Sequence, residues 1–175
     1  MKTPDAPATA VRVVVMGVSG CGKSTVGRAL ASALGVPFIE GDELHPPRNV
    51  ALMASGTPLT DDDRRDWLHA VADALSRAAD TGAVAACSAL KRSYRDILRG
   101  RAPGLHFVHL VGERAVLEER MRRRSGHYMP ASLLQSQLDI LEPPTADEAA
   151  VTLDLDATPD EVVRAVRRQL EASAA

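Results

Sequence analysis

Disulfides are the first thing this sequence cannot build in number. Cys21 and Cys87 are its two cysteines in 175 residues, too few for a disulfide framework and best suited to a reducing compartment. No apolar run approaches the ~20 residues of a membrane-spanning helix. A large excess of one charge is also missing. The formal net charge of -2 argues against a nucleic-acid partner chosen by bulk electrostatics. Aromatics are sparse, at 3%, and none interleaves with basic residues to form a stacking stripe for single strands. Asparagine occurs once, as Asn49 before Val50, so the guanine-reading N-K-x-D of a GTPase switch is absent, as is D-x-x-G. The first ten residues lack the apolar core of a secretory leader. They read as a flexible tail, and the expected location is cytoplasmic.

What is present alternates. Val11–Met16 is a β-branched run suited to a strand covered on both faces. Ser24–Leu34 has helical spacing and ends at Gly35, a C-cap residue. Further strands are expected over Phe38–Glu40, Ala83–Ser88, His106–Val111 and Val151–Leu155. Helices are expected over Asp61–Ala79, Ser93–Arg99, Glu113–Arg124, Ala131–Leu141 and Pro159–Ala172. Thr158, Pro159 and Glu161 form a capping box with proline at the first helical position, and Thr60 before three aspartates marks another N-terminus. No repeat, linker or low-complexity block interrupts the pattern. It predicts one domain over 11–175, a three-layer α/β/α fold on a mostly parallel sheet.

The strongest motif is Gly17-Val18-Ser19-Gly20-Cys21-Gly22-Lys23-Ser24, a full match to G-x-x-x-x-G-K-[ST] between a strand and a helix. Its glycines allow a tight turn whose amides face phosphate oxygens, and the following helix adds its positive dipole end. Lys23 is expected on the β- and γ-phosphates of ATP, Ser24 on Mg²⁺, and Thr25 toward the α-phosphate. Cys21 has no catalytic histidine suggested nearby and reads as a loop residue.

The second strand runs into Glu40-Gly41-Asp42, with His45 and Arg48 following. Strand ends beside such a loop open into the ligand crevice, and alternation puts Glu40 and Asp42 on one side. Asp42 could orient or deprotonate an acceptor hydroxyl, and Glu40 could act on Mg²⁺ through water. A solvated acidic turn is the plain alternative.

Several blocks make the reading more specific. Glu40-Gly41-Asp42 with His45-Pro46 is followed by Met53, Gly56, Pro58-Leu59, Asp61, Asp63-Arg64 and Trp67-Leu68. Cys87-Ser88-Ala89-Leu90-Lys91-Arg92 leads to Tyr94-Arg95-Asp96, then Leu98-Arg99. Arg120, Arg124 and Gly126-His127 precede Ser136-Gln137 and Leu141-Glu142-Pro143. In this order, from about Val13 to the last helix, the chain resembles the gluconate kinase family of P-loop kinases; at Glu40 some relatives carry aspartate. The resemblance implies transfer of phosphate from MgATP to O6 of D-gluconate, and a homodimer.

Lys91 and Arg95 share a helix face if the helix has begun by Lys91. Two cations there would suit the gluconate carboxylate, with His45, Arg48 and Ser88 as partners for its hydroxyls. A solvated basic face is the alternative. Trp67 is expected in the core or at the rim of a helical substrate-side subdomain. Four arginines in five residues, from Arg120 to Arg124, suggest a lid over about 120–130, with Gly126 and Pro130 bracketing a hinge. Arg120 and Arg124 would face the transferring phosphoryl group, while Arg122 and Arg123 would face solvent. The Asp156–Pro159 turn resembles an adenine-side loop. The rival functions are a shikimate- or adenylate-type kinase and a nucleotide-binding module without turnover.

Overall fold

The structure, a computed structural model, describes residues 10–124 and 132–175. Five strands form one parallel sheet in the order β2-β3-β1-β4-β5. They are β1 (Arg12–Met16), β2 (Phe38–Glu40), β3 (Ala83–Ala86), β4 (His106–Val111) and β5 (Ala150–Asp154). Both faces of the middle strands are buried, since Val13 to Met16 and Ala83 to Ala85 are each 0% exposed. This is why they read as unbroken apolar runs. The register pairs Val14 with Ala85 on one side and with Phe107 on the other.

Helices cover both faces. α1 (Lys23–Leu34) and α7 (Pro159–Ala174) pack together on one, and α3 (Asp61–Arg77) and α4 (Arg92–Arg101) pack together on the other. α3 starts in a capping box, with the Asp63 amide on the Thr60 hydroxyl at 3.1 Å and the Thr60 amide on the Asp63 carboxylate at 2.9 Å. α7 starts in the box expected at Thr158 and Glu161. Gly35 closes α1 in the left-handed region at φ 68°.

One helix was not expected from the sequence. α2 (Pro47–Ala54) follows Pro46, and a proline pair reads as a breaker. Pro47, however, occupies the first helical position, where its missing N–H costs nothing. α5 (Arg114–Arg123) packs on the loop after β1, and α6 (Leu133–Ile140) returns the chain toward the same loop. Met53, Leu59 and Leu133 form a small apolar cluster separate from the main core. That cluster holds α2 and α6 together as the helical subdomain beside the sheet's carboxyl edge.

Candidate active site

The loop after β1 turns through Gly17, Gly20 and Gly22 at φ 143°, 86° and 91°. Side chains rarely adopt such angles, so the glycines give this loop the curl of an anion nest. Gly22 caps α1 and puts Lys23 on its first turn. The Lys23 Nζ donates to the Val18 carbonyl at 3.1 Å, an uncharged acceptor that a phosphate oxygen can replace. Cys21 is buried and unpaired in a disulfide, in keeping with a packing role. Ser24 Oγ donates to Glu40 Oε2 at 2.5 Å, which brings the hydroxyl expected on the metal to the carboxylate expected behind it.

Gly41 explains how the second strand delivers its acid. A Cβ there would lie 2.2 Å from the Ala86 carbonyl oxygen, so only glycine lets the chain leave β2 so close to β3. The 3₁₀ turn Gly41–Leu44 then presents Asp42. Asp42, His45, Arg64 and Ser88 line one cleft with Lys23 and Ser24. His45 stacks on Trp67 with ring centroids 4.1 Å apart and planes at 14°. Trp67 is 1% exposed and donates from Nε1 to the Gly41 carbonyl at 2.7 Å. It is a core residue that supports the turn from behind. Burial pushes the His45 ring down to about 4, against the pull of Asp42 and with help from the Arg64 charge.

Arg64 is a cleft-lining side chain to which the sequence reading gave no role. It is 8% exposed, and its Nη1 donates to the Leu59 carbonyl at 2.5 Å and to the Tyr94 hydroxyl at 3.2 Å. Tyr94 in turn donates to Asp61 at 2.5 Å. No carboxylate pairs directly with Arg64 among the described residues. A buried guanidinium without an anion is costly, and this one lies in the lining of the cleft. The helical period held the signal. Arg64, Trp67, Leu68, Val71, Ala72 and Leu75 are all buried and fall on one stripe of α3, but Arg64 follows three aspartates and reads as surface charge.

The structure corrects the cationic pair. Lys91 is the N-cap of α4, extended at φ -99° and ψ 150°, so it does not share a helix face with Arg95. Its Nζ bonds Asp61 at 3.0 Å, at the edge of the subdomain. Arg95 is 0% exposed and cannot meet a substrate. Its Nε lies 2.7 Å from Glu148, and its other nitrogens donate to the carbonyls of Ala89 and Glu142 at 2.8 and 2.9 Å. It is a strut between α4 and the turn that leads to β5. Arg48 is also outside the cleft lining. It pairs with Asp63 on the surface, its side chain 71% exposed. A substrate role for Arg48 or Arg95 is therefore not supported by their placement. Ser88 and His45 do reach the cleft.

A second cleft opens on the other side of the glycine loop. Thr25, Val26, Arg120, Leu155, Ala157 and Pro159 line it. Arg120 Nη2 lies 3.2 Å from Asp156, so α5 is tied to the turn expected beside the adenine. Arg124 borders both clefts. Arg122 and Arg123 pair with glutamates of their own helix, 65% and 78% exposed, as expected. Gly126, His127 and Pro130 lie outside the described residues. Gln137 of α6 accepts from the Ser19 amide at 2.8 Å, which ties the helical subdomain to the glycine loop.

Comparison with known proteins shows the family. Residues 13–144 match a protein family described as an AAA domain. A gluconokinase of Gluconobacter oxydans (strain 621H) is 50% identical over 162 residues, 91% of each chain. The thermoresistant gluconokinase of Escherichia coli (strain K12) is 47% identical over 146 residues, 82% of this chain and 83% of that one. The crystal structure of a gluconokinase from Sinorhizobium meliloti 1021 superposes with a TM-score of 0.82 at 52% identity, covering 95% of this chain and 94% of that one.

Proposed function

The chain belongs to the gluconokinase family, and we propose from that premise how its two clefts perform ATP-dependent phosphorylation of D-gluconate on O6. The observation that carries the reading is a buried Arg64, with no carboxylate paired to it among the described residues, in the same cleft as Asp42 and Lys23. A P-loop alone asks for a nucleotide. An unpaired guanidinium beside it asks for an acceptor with its own negative charge, and gluconate brings a carboxylate.

Donor and acceptor meet at the glycine loop. The amides of Val18 to Thr25 and Lys23 hold the phosphates, with adenosine in the cleft of Ala157 and Pro159. Arg64 holds the gluconate carboxylate, and Ser88 and His45 take hydroxyls. Asp42 accepts the proton of the 6-hydroxyl as its oxygen bonds the γ-phosphorus and the bond to the β,γ-bridging oxygen breaks. Arg120 and Arg124 stand where charge spreads onto the transferring group. Ordering the two reactants in line, with water kept out, supplies much of the rate.

Mg²⁺ fits this site. Among the described residues no cluster of three or more His, Cys, Asp or Glu could cage a metal, but Mg²⁺ in a kinase needs only one or two protein groups besides phosphate and water. Ser24 would hold it directly and Glu40 through water, and the ion would neutralise charge on the β- and γ-phosphates. Among the described residues no helix is long and apolar enough to cross a membrane, and both cysteines are free, which supports a cytoplasmic location. The homodimer rests on the resemblance, and sedimentation velocity at micromolar concentration decides it.

ADP release measured with gluconate, shikimate and AMP as acceptors tests the reading. Gluconate-dependent release with magnesium is expected. ATP binding without acceptor-dependent release would make the chain a nucleotide-binding module, and release with another acceptor would reassign the cleft.

A further inference from the structure

The wall of the acceptor cleft fixes which nitrogen of His45 carries its proton. Asn49 is 1% exposed, and its side-chain nitrogen lies 2.7 Å from the Asp63 carbonyl oxygen and 3.3 Å from His45 Nδ1. A carbonyl oxygen only accepts, so the atom facing it is the amide nitrogen and not the amide oxygen. That nitrogen has two hydrogens and no free lone pair. Its second hydrogen meets Nδ1, which must therefore be the bare, accepting nitrogen of the ring. The remaining proton is on Nε2. The stack on Trp67 and the Trp67 bond to Gly41 hold the ring plane. Nε2 has no protein partner among the described residues, while the residue lines the cleft.

We infer that Asn49 is a positioning residue that holds His45 as its Nε2–H tautomer, so that His45 can only donate to an oxygen of the acceptor. This rests on the gluconokinase reading and assigns the labour within it. A ring with its lone pair engaged by Asn49 cannot take the proton of the reacting hydroxyl, so that task falls to Asp42. The charged groups near the ring, Asp42 on its own turn and Arg64 from α3, act in opposite directions on its protonation, and burial adds to Arg64 in favouring the neutral form. The proton on Nε2 then selects for lone pairs: a hydroxyl or carboxylate oxygen is accepted, and an ammonium or a methylene at that position leaves a buried donor unmet.

The test uses the full chain without substrate, labelled with ¹⁵N in histidine. Long-range ¹H–¹⁵N spectra, assigned against His45→Gln, should show a neutral His45 protonated at Nε2. Asn49→Asp replaces the donor by an acceptor and should move the proton to Nδ1 or yield an imidazolium. It should also raise the KM for gluconate about tenfold or more with the KM for ATP unchanged. His45→Gln, which keeps an N–H donor near the Nε2 position, should hold the KM for gluconate within about threefold, whereas His45→Ala should lose about tenfold. A wild-type ring protonated at Nδ1 overturns the inference, and so does a His45→Gln enzyme no better than His45→Ala. If Asn49→Asp does not fold, the wild-type spectrum and the two His45 variants still decide. Failure of gluconate to stimulate ADP release would instead overturn the reading of the reaction, and it leaves the tautomer measurement standing.

Discussion

At the scale of single residues, the cleft divides its work between one base and one anchor, and the two can be separated by which constant moves. Asp42 is proposed to act only where the hydroxyl proton leaves. Asp42→Asn keeps the shape but removes the base, so kcat should fall about 10²–10⁴-fold while the KM for ATP stays near wild type. Wild-type turnover in that variant would take Asp42 out of the mechanism. Arg64 is proposed to hold the carboxylate in ground state and transition state alike, which predicts a KM effect. Arg64→Met preserves much of the buried stem and removes the charge. Losing a charged hydrogen bond of about 1.5–3 kcal/mol should raise the KM for gluconate roughly 10–100-fold. The control is a polyol of the same chain length with no carboxylate, for which wild type and variant should differ little. An equal loss with both acceptors would mean that Arg64 serves the fold and not the substrate.

At the scale of elements, the arginine that looks like a ligand is a strut. Arg95 and Glu148 join α4 to the 3₁₀ turn Ala146–Glu148 before β5, with side chains 0% and 1% exposed. Arg99 adds a second bond to Glu148 at 2.6 Å. Burial alone would raise the Glu148 carboxyl, but hydrogen bonds from Arg95, Arg99 and the Thr145 amide override it and hold it at about 2. Removing one partner strands the other charge, so Arg95→Met should cost about 3–5 kcal/mol of stability. Active-site titration of the folded fraction should return a near wild-type KM for gluconate. A selective rise in that KM would restore Arg95 to the site. Sequence could not separate this arginine from Arg64, because both lie on helices amid other charges and burial is decided by what packs above them. The spacing of Arg64 with Trp67 and Leu68 on α3 marked burial, but Arg95 has the same spacing with Leu98 on α4. Nothing local marked Glu148 as the partner, since it sits 53 positions away. The boundary at Lys91 had the same weakness: a one-residue shift in where α4 begins turns a helix-face cation into a cap.

At the scale of the whole molecule, the parallel sheet and its helical layers were legible because continuous apolar runs alternated with capped helical stretches. The strand order was not. The runs VVVM and AVAA are equally apolar, and nothing in either says which lies beside which. The same burial that made the strands readable also enclosed histidines, and this sets how the protein meets acid. His109 in β4 is 2% exposed with both ring nitrogens unpartnered. Burial, aided by the Arg95 charge, pushes it down to about 4, and burial does the same to His45. Burial lowers His106 as well. These rings are neutral when folded but take protons near 6.5 when unfolded, so the unfolded chain binds more protons between those values. Stability therefore falls as pH drops from 6.5 toward 4, by on the order of 3 kcal/mol at most for a ring lowered that far. Glu148 is depressed in the folded state, so its share is present above about 4.5 and is lost only as pH falls from there toward 2. Two acid phases are expected. Urea unfolding between pH 8 and 3 should show the first loss beginning near 6.5, and His109→Gln should shrink that phase without touching the second. A stability flat from pH 7 to 5 would mean that the rings are not held neutral by the fold. It would also remove the electrostatic ground for treating His45 as a pure donor in the cleft.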